Sequence, residues 1–277
     1  VAVVRAKEAS WRRFLSDDSP VHRWRLAAHI WCARWFCPPG TRPAGDSETR
    51  ALIDAIVGHD RTVAASHVDA RIREACATAD ARGFFHWPLE FPDVFYEPDG
   101  RPRERPGYDA VIGNPPWEMV RHDDGPEGGT RQLTQYVRQS GQYPSCSTGH
   151  LNLYQAFVDR SLSLVRPGGR VGLVLPWGVA VDDGSAGLRA RLLGETRVDT
   201  IVGLDNAQGL FPIHRGLRFS VVTTTAGGQT ESVRAAFGIR ASDELDRLPS
   251  RGGGASYPVT LTIGEIRAAG GPAMRVP

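Results

Sequence analysis

The stretch "GYDAVIGNPPWEMV", Gly107 to Val120, decides how the rest of the chain is read. Ala110, Val111 and Ile112 have the apolar character of a buried core strand, and Asn114, Pro115, Pro116 and Trp117 make a rigid polar turn at its end. Each residue alone has an ordinary explanation: prolines stop strands, asparagine suits turns and tryptophan fills cores. Their order at the carboxyl end of an apolar strand is another matter, because ligands of open α/β sheets bind there. The stretch offers no acid–base pair, so proton abstraction and hydrolysis are poor fits. The Asn114 side-chain carbonyl and the proline-fixed backbone carbonyl of Pro115 are two hydrogen-bond acceptors held side by side. Two converging acceptors suit an NH2 group. An amine on an aromatic ring is a weak nucleophile because its lone pair is delocalised, and accepting both hydrogens returns electron density to nitrogen. Trp117 supplies a flat face for the ring, and alignment of the amine with an activated methyl group would supply most of the remaining acceleration.

Outward from this turn, the chain alternates strand and helix. "NLYQAFVDRSLSLV" is a helix with an apolar stripe of Leu153, Phe157, Leu162 and Val165, stopped by "RPGG". "RVGLVLPWG" is a near-continuous apolar run of strand length, so the order strand, helix, strand predicts a parallel crossover. "SAGLRARLLGE" is a further helix, and "VDTIVGLDN" and "LRFSVVTTTAG" are adjacent strands joined by the loop "AQGLFPIHRG". Between the opening turn and the first of these helices, "RHDDGPEGGTRQLTQYVRQSGQYPSCSTGH" lacks a clear period and reads as a long loop with one short helix.

The first ~80 residues read mainly as helices by their apolar spacing. "SETRALIDAIVGH" takes Ser47 as its N-cap, and "ASHVDARIREACATADARG" stops at Gly83. "FFHWPLEFPDVF" is broken by Pro88 and Pro92 and reads as an extended or edge element. Three segments follow: a mainly helical 1–83, an α/β catalytic 84–227, and a polar, glycine-rich linker 228–277.

The bulk numbers exclude little. The chain has 277 residues, 41% hydrophobic and 23% charged, as in ordinary soluble domains. A net charge of +2 does not by itself indicate a nucleic-acid partner. Lys7 is the only lysine; the arginines are scattered, which fits coding composition better than a phosphate-binding patch. No apolar run approaches the ~20 residues that span a membrane, and four cysteines without a CxxC pair suit a reduced, cytoplasmic protein. His22, His29, Cys32 and Cys37 lie close in sequence. The same segment places Trp24, Ala28, Trp31 and Trp35 at helical spacing, so a packed helix is expected there and no metal.

"VIGNPPW" resembles the fourth motif, Asn-Pro-Pro-(Tyr/Phe/Trp), of the S-adenosylmethionine-dependent methyltransferases that act on adenine N6 in DNA. "NLYQAFVDRSLSLVRPGGRVGLVLPWG" and "LFPIHRGLRFSVV" resemble the later motifs of the Taq-type and Eco57I-type members, and "FFHWPLEFPDVF" is similar to large restriction-associated and phage-defence members. The resemblance covers roughly Phe84 to Gly227. It implies a Rossmann-like α/β methyltransferase sheet, with the chain holding its catalytic half behind a mainly helical N-terminal segment. It implies that Asn114 and Pro115 accept the hydrogens of the N6 amine, that Pro116 fixes the turn, and that Trp117 stacks on one face of a flipped adenine. Phe211 would stack on the other face, and Phe157 would pack on the adenine ring of S-adenosylmethionine. Double-stranded DNA is the implied partner, with His214, Arg215 and Arg218 as phosphate contacts or a plain solvated loop.

One departure stands out. In the family a glycine-rich cofactor loop and an acidic ribose ligand precede the Asn-Pro-Pro motif, and residues 1–113 show neither. The chain is therefore expected to lack the N-terminal cofactor-binding half and a C-terminal target-recognition domain, and to be inactive alone. Two other readings stay open: a methyltransferase of protein glutamine, and a non-catalytic DNA-binding module derived from a methyltransferase.

Overall fold

The computed structural model describes residues 2–19, 21–38, 40–58, 63–120, 129–147, 149–249 and 257–276. They fall into two compact units, Val1–Arg101 with His122–Gln135, and Pro102–Arg121 with Tyr136–Pro277. The glycine run at 252–254 and the acidic stretch after Val120 lie outside the described residues. Among the described residues, no helix is long and apolar enough to cross a membrane.

The first unit is helical, as its periodicity requires. α1 (Ala2–Leu15), α2 (His22–Ala33), α3 (Asp46–Val57) and α4 (Ala65–Arg82) follow in order. Buried Ile30, Leu52 and Ala75 join α2, α3 and α4 in one small core. Ser47 lies in the first turn of α3, whose N-cap is the extended Gly45, and α4 ends as expected at left-handed Gly83. The segment holding His22, His29, Cys32 and Cys37 is helical through Ala33. Its buried face is Ala27 and Ile30, however, while Trp24 is exposed. His29 Nδ1 lies 2.9 Å from His86 Nε2. "FFHWPLEFPDVF" is not extended: Trp87–Glu90 and Pro92–Phe95 are single helical turns. Pro88 and Pro92 sit at their starts, where a missing N–H costs nothing and a fixed φ favours the helix.

The second unit is a mixed α/β sheet of the expected Rossmann-like class. β1 (Tyr108–Gly113), β2 (Val165–Pro176), β3 (Thr196–Asp205), β4 (Arg218–Ala226), β5 (Ser232–Ile239) and β6 (Val259–Thr262) lie in the order β1-β2-β4-β3-β5-β6. β1 and β2 are parallel, joined through the Leu153–Leu164 helix. β4 runs antiparallel to both β2 and β3, β5 is parallel to β3, and β6 is antiparallel to β5. On one face, Val171, Leu173 and Leu175 of β2 pack with Val158, Leu188 and Leu192 of the Leu153–Leu164 and Ala186–Glu195 helices. On the other, Val202 and Leu204 of β3 pack with Phe219, Ala236 and Ile239.

Four expectations change here. β1 is no buried central strand: it forms the sheet's edge, and Ile112 is 87% exposed. The helix stops just before "RPGG", at Leu164, but no separate turn follows: β2 begins directly at Val165, and Pro167–Gly169 bulge out of its pairing with β1. Residues 228–277 are not a linker, since β5 and β6 extend the sheet and Ile266 and Val276 join its core. The Leu153–Leu164 helix buries Tyr154, Val158, Ser161 and Leu164 instead of the Leu153–Phe157 stripe.

Gly107 is where the chain enters β1, at φ +116°. A Cβ there would lie 2.6 Å from Leu164 O and 2.7 Å from Arg166 N, both backbone atoms that cannot step aside. Gly107→Ala is therefore expected to cost about 1–3 kcal/mol in urea unfolding, and an unchanged midpoint would contradict the close approach.

Candidate active site at the carboxyl end of the sheet

The backbone leaves β1 at Gly113 and turns through Asn114-Pro115-Pro116 into Trp117. Pro115 is buried and Asn114 is exposed. Among the described residues, neither the Asn114 side chain nor the Pro115 carbonyl has a hydrogen-bond partner. Trp117 anchors the turn by donating from Nε1 to Val174 O of β2 at 3.3 Å. Beyond it the chain is pinned again: Leu153 N donates to Glu118 O and Val120 N to Leu151 O, with Met119 bridged to Asn152. These bonds tie the turn to the first residues of the Leu153–Leu164 helix, so its acceptors stand on a fixed frame.

Antiparallel β4 brings a second group to the same end. Phe219, near the start of β4, pairs with Pro176 of β2 and Leu204 of β3. It is 1% exposed, and its ring lies 5.9 Å from Trp117, tilted by 34°. Phe211 stands edge-on to Phe219 at 5.1 Å and 86°. Trp117, Phe219 and Phe211 thus form an aromatic row, with Phe211 44% exposed at its outer end.

Phe157 is half exposed on the Leu153–Leu164 helix, which removes the plain core reading of this position. Arg215 and Arg218 are exposed, and Arg218 stands opposite Asp205 in the β3–β4 ladder. His214 is engaged within its own loop, its Nδ1 accepting from Gly216 N at 3.1 Å. The Asp205 carboxyl is held below the usual range, first by the N–H of Ala207 and then by Arg240.

Two contributors were missed in the sequence. Phe219 is hidden in an ordinary strand run, and its contact with both Trp117 and Phe211 follows only from the strand order. Asn206 follows β3 directly and is fully buried, holding the Phe211 loop by its side chain.

A model of the Eco57I restriction-modification methylases matches residues 51–211, more than half of the chain. The chain belongs to this family. No curated protein matches it. Among solved structures it is similar to the modification subunit of a putative type I restriction enzyme from Vibrio vulnificus YJ016, at 17% identity and TM-score 0.42, over 58% of this chain and 34% of that one. It is also similar to a putative class I S-adenosylmethionine-dependent methyltransferase from Listeria monocytogenes, at 15% identity and TM-score 0.36, over 50% of this chain and 39% of that one. A type I restriction-modification methyltransferase subunit from Streptococcus thermophilus matches at 13% identity and TM-score 0.38, over 80% of this chain and 50% of that one. The chain of this Eco57I-family protein thus spans half or less of each of these structures.

S-adenosylmethionine must be held at its ribose and methionine parts as well as its adenine. Among the described residues β1 is the first strand, and α4 and two helical turns precede it, so no strand-to-glycine-loop turn lies upstream. Phe157 offers a face for an adenine ring, but the described residues do not fit the cofactor as a complete cradle.

Proposed function

We propose that this chain carries the amine-activating half of a site-specific DNA adenine-N6 methyltransferase of the restriction-modification or phage-defence type. The carrying observation is the pair of free acceptors at Asn114 and Pro115, set at the carboxyl end of β1 beside the row Trp117, Phe219 and Phe211. In this reading Asn114 Oδ1 accepts one hydrogen of the N6 amine and the Pro115 carbonyl accepts the other. The nitrogen lone pair is thereby turned from the ring toward the methyl donor. Pro116 keeps the two acceptors from swinging apart.

An adenine in duplex DNA presents N6 to its paired base, so the reading requires the base to be flipped out. The unstacking cost of a few kcal/mol is offset by new stacking on Trp117 and Phe211. Arg215 and Arg218 would take flanking phosphates. S-adenosylmethionine is the proposed cofactor and supplies the methyl group. Its cradle is proposed to come from an N-terminal half beyond these residues, seated against the open edge of β1. The edge position of β1 supports this, since an open strand edge is normally paired or covered, and the exposed Ile112 leaves an apolar side chain bare on the adjoining sheet face. Alone, the 277 residues are expected to be inactive.

Glutamine and adenine both offer an NH2 beside an acceptor, but only adenine needs two aromatic faces. The half-exposed Phe211 at the end of the row favours the base. The test is methyl transfer from S-adenosylmethionine to adenine-containing duplex DNA and to a glutamine peptide, using protein in which the cofactor-binding half is present. N6-methyladenine in the DNA product is the expected result. Methylated peptide with unmodified DNA would establish the glutamine reading, and DNA binding without turnover on either would establish the non-catalytic one.

A further inference from the structure

Asn206 is a fully buried amide immediately after β3, and all of its polar atoms are engaged with one loop. Its Oδ1 accepts from Phe211 N at 2.8 Å. Its Nδ2 donates to Phe211 O at 3.1 Å, to Ile213 O at 3.1 Å and, more weakly, to His214 O at 3.4 Å. Its own N–H donates to Leu217 O at 3.2 Å, and its carbonyl accepts from Gly209 N at 2.8 Å. One residue therefore closes the loop between β3 and β4 at its base and grips it at its tip.

The grip has a direction. A single carboxamide bonds both the N–H and the C=O of Phe211, as a neighbouring strand would, and so fixes the orientation of that residue's backbone. A buried amide is costly unless its hydrogen bonds are satisfied, and an apolar side chain would fill the space at less risk. Loops of this length are otherwise loose, and their tips are the first part to move. What the clamp holds in place is a large apolar ring left 44% exposed, which gains little burial from being fixed.

We infer that Asn206 is a positioning residue, which holds Phe211 ready for its ligand at the end of the aromatic row. The inference rests on the proposed role of Phe211 for the ligand's identity, but the clamp can be tested apart from it. The first measurement is hydrogen exchange over residues 206–218 in the whole chain. Asn206→Ala is expected to speed exchange of the Phe211 amide at least about tenfold while β2, β3 and β4 keep their protection. Asn206→Asp, which sets a carboxylate oxygen against the carbonyls of Phe211 and Ile213, is expected to loosen the loop at least as much as the alanine variant at neutral pH. Unchanged exchange in the Ala variant would overturn the clamp, as would loss of protection throughout the sheet.

The second measurement is binding of a duplex carrying 2-aminopurine opposite an abasic site, which presents an already unstacked base. Asn206→Ala and Phe211→Ala are each expected to weaken binding by roughly tenfold, and the double variant by no more than either alone. A purely structural residue would give additive losses, and additivity overturns the positioning role. If exchange rises as expected and neither variant changes binding, the clamp stands and the base-stacking role of Phe211 falls.

Discussion

Asp159→Ala is expected to cost about 3–5 kcal/mol of folding free energy, the largest stability loss of any single polar truncation proposed here. Asp159 is fully buried on the Leu153–Leu164 helix and accepts from four groups at once, the weakest being Cys146 Sγ at 3.7 Å. Arg191 Nη1 donates to it at 2.6 Å, Ser145 Oγ at 2.7 Å and Ser145 N at 2.8 Å. Removing the carboxylate leaves a backbone N–H, a hydroxyl and a mostly buried guanidinium without their partner. The remaining bond from Arg191 to exposed Glu195 at 3.0 Å softens the loss toward its lower bound. Cys146 reports on the same pocket: its thiol is pushed up to about 12, by burial first and then by the nearby Asp159 charge. Asp159→Asn keeps the shape and one acceptor and is expected to lose only about 1–3 kcal/mol. The exposed pair Arg247–Asp243 is the control, with an expected change of at most about 0.5 kcal/mol. Urea unfolding of the three variants decides it, and equal midpoints would show that other contacts hold the Ser145 loop.

The same network explains why part of this fold was legible in the sequence and part was not. Strands β2, β3 and β4 were readable because their apolar runs are long and bounded by Gly, Pro or polar turns, and they are buried in the middle of the sheet. β5 and β6 were read as linker because their surroundings are polar and glycine-rich. The alternation of β5 is broken by adjacent Ala235 and Ala236, so its membership depends on pairing with distant β3. The helix stripe was misplaced by one position: Leu153 and Phe157 are as apolar as Tyr154 and Val158, and only packing against β2 tells which face turns inward. Buried Asp159, Gln155 and Ser161 lie on that inward face, which a hydrophobic count cannot anticipate. β1 carries the signal of a central strand while lying at an edge, and this mismatch between pattern and environment is the physical ground for proposing a further segment against it.

The candidate site was legible for a different reason. Asn-Pro-Pro-Trp combines residues whose chemistry is local: a carboxamide, two fixed φ angles and an indole need no distant partner to be recognised. Phe211 was recoverable by resemblance, and its place at the end of an aromatic row follows from the antiparallel insertion of β4. Asn206 gave no such signal, since asparagine after a strand is an ordinary turn residue and its value lies wholly in where its amide points.

Asn114→Ala is expected to lower the rate of methyl transfer by at least about 10²–10³-fold, the loss that follows removal of one positioned polar group at a reacting centre. The measurement is single-turnover transfer to duplex DNA by protein that includes the cofactor-binding half. The structure supplies the control that makes this decisive. Because the Asn114 side chain is exposed and unpartnered among the described residues, its truncation removes no bond from the fold. Unfolding midpoints should therefore stay within about 0.5 kcal/mol of the parent. DNA affinity should also hold, since phosphate contacts and the Trp117–Phe219–Phe211 row are untouched. A rate loss confined to the chemical step then assigns Asn114 to the activation of the amine. Asn114→Asp keeps an acceptor at the same place and should retain more activity than the alanine variant, because one N6 hydrogen still finds an oxygen. Retained turnover in Asn114→Ala would refute the acceptor mechanism, leaving the Pro115 carbonyl and base stacking to account for the rate.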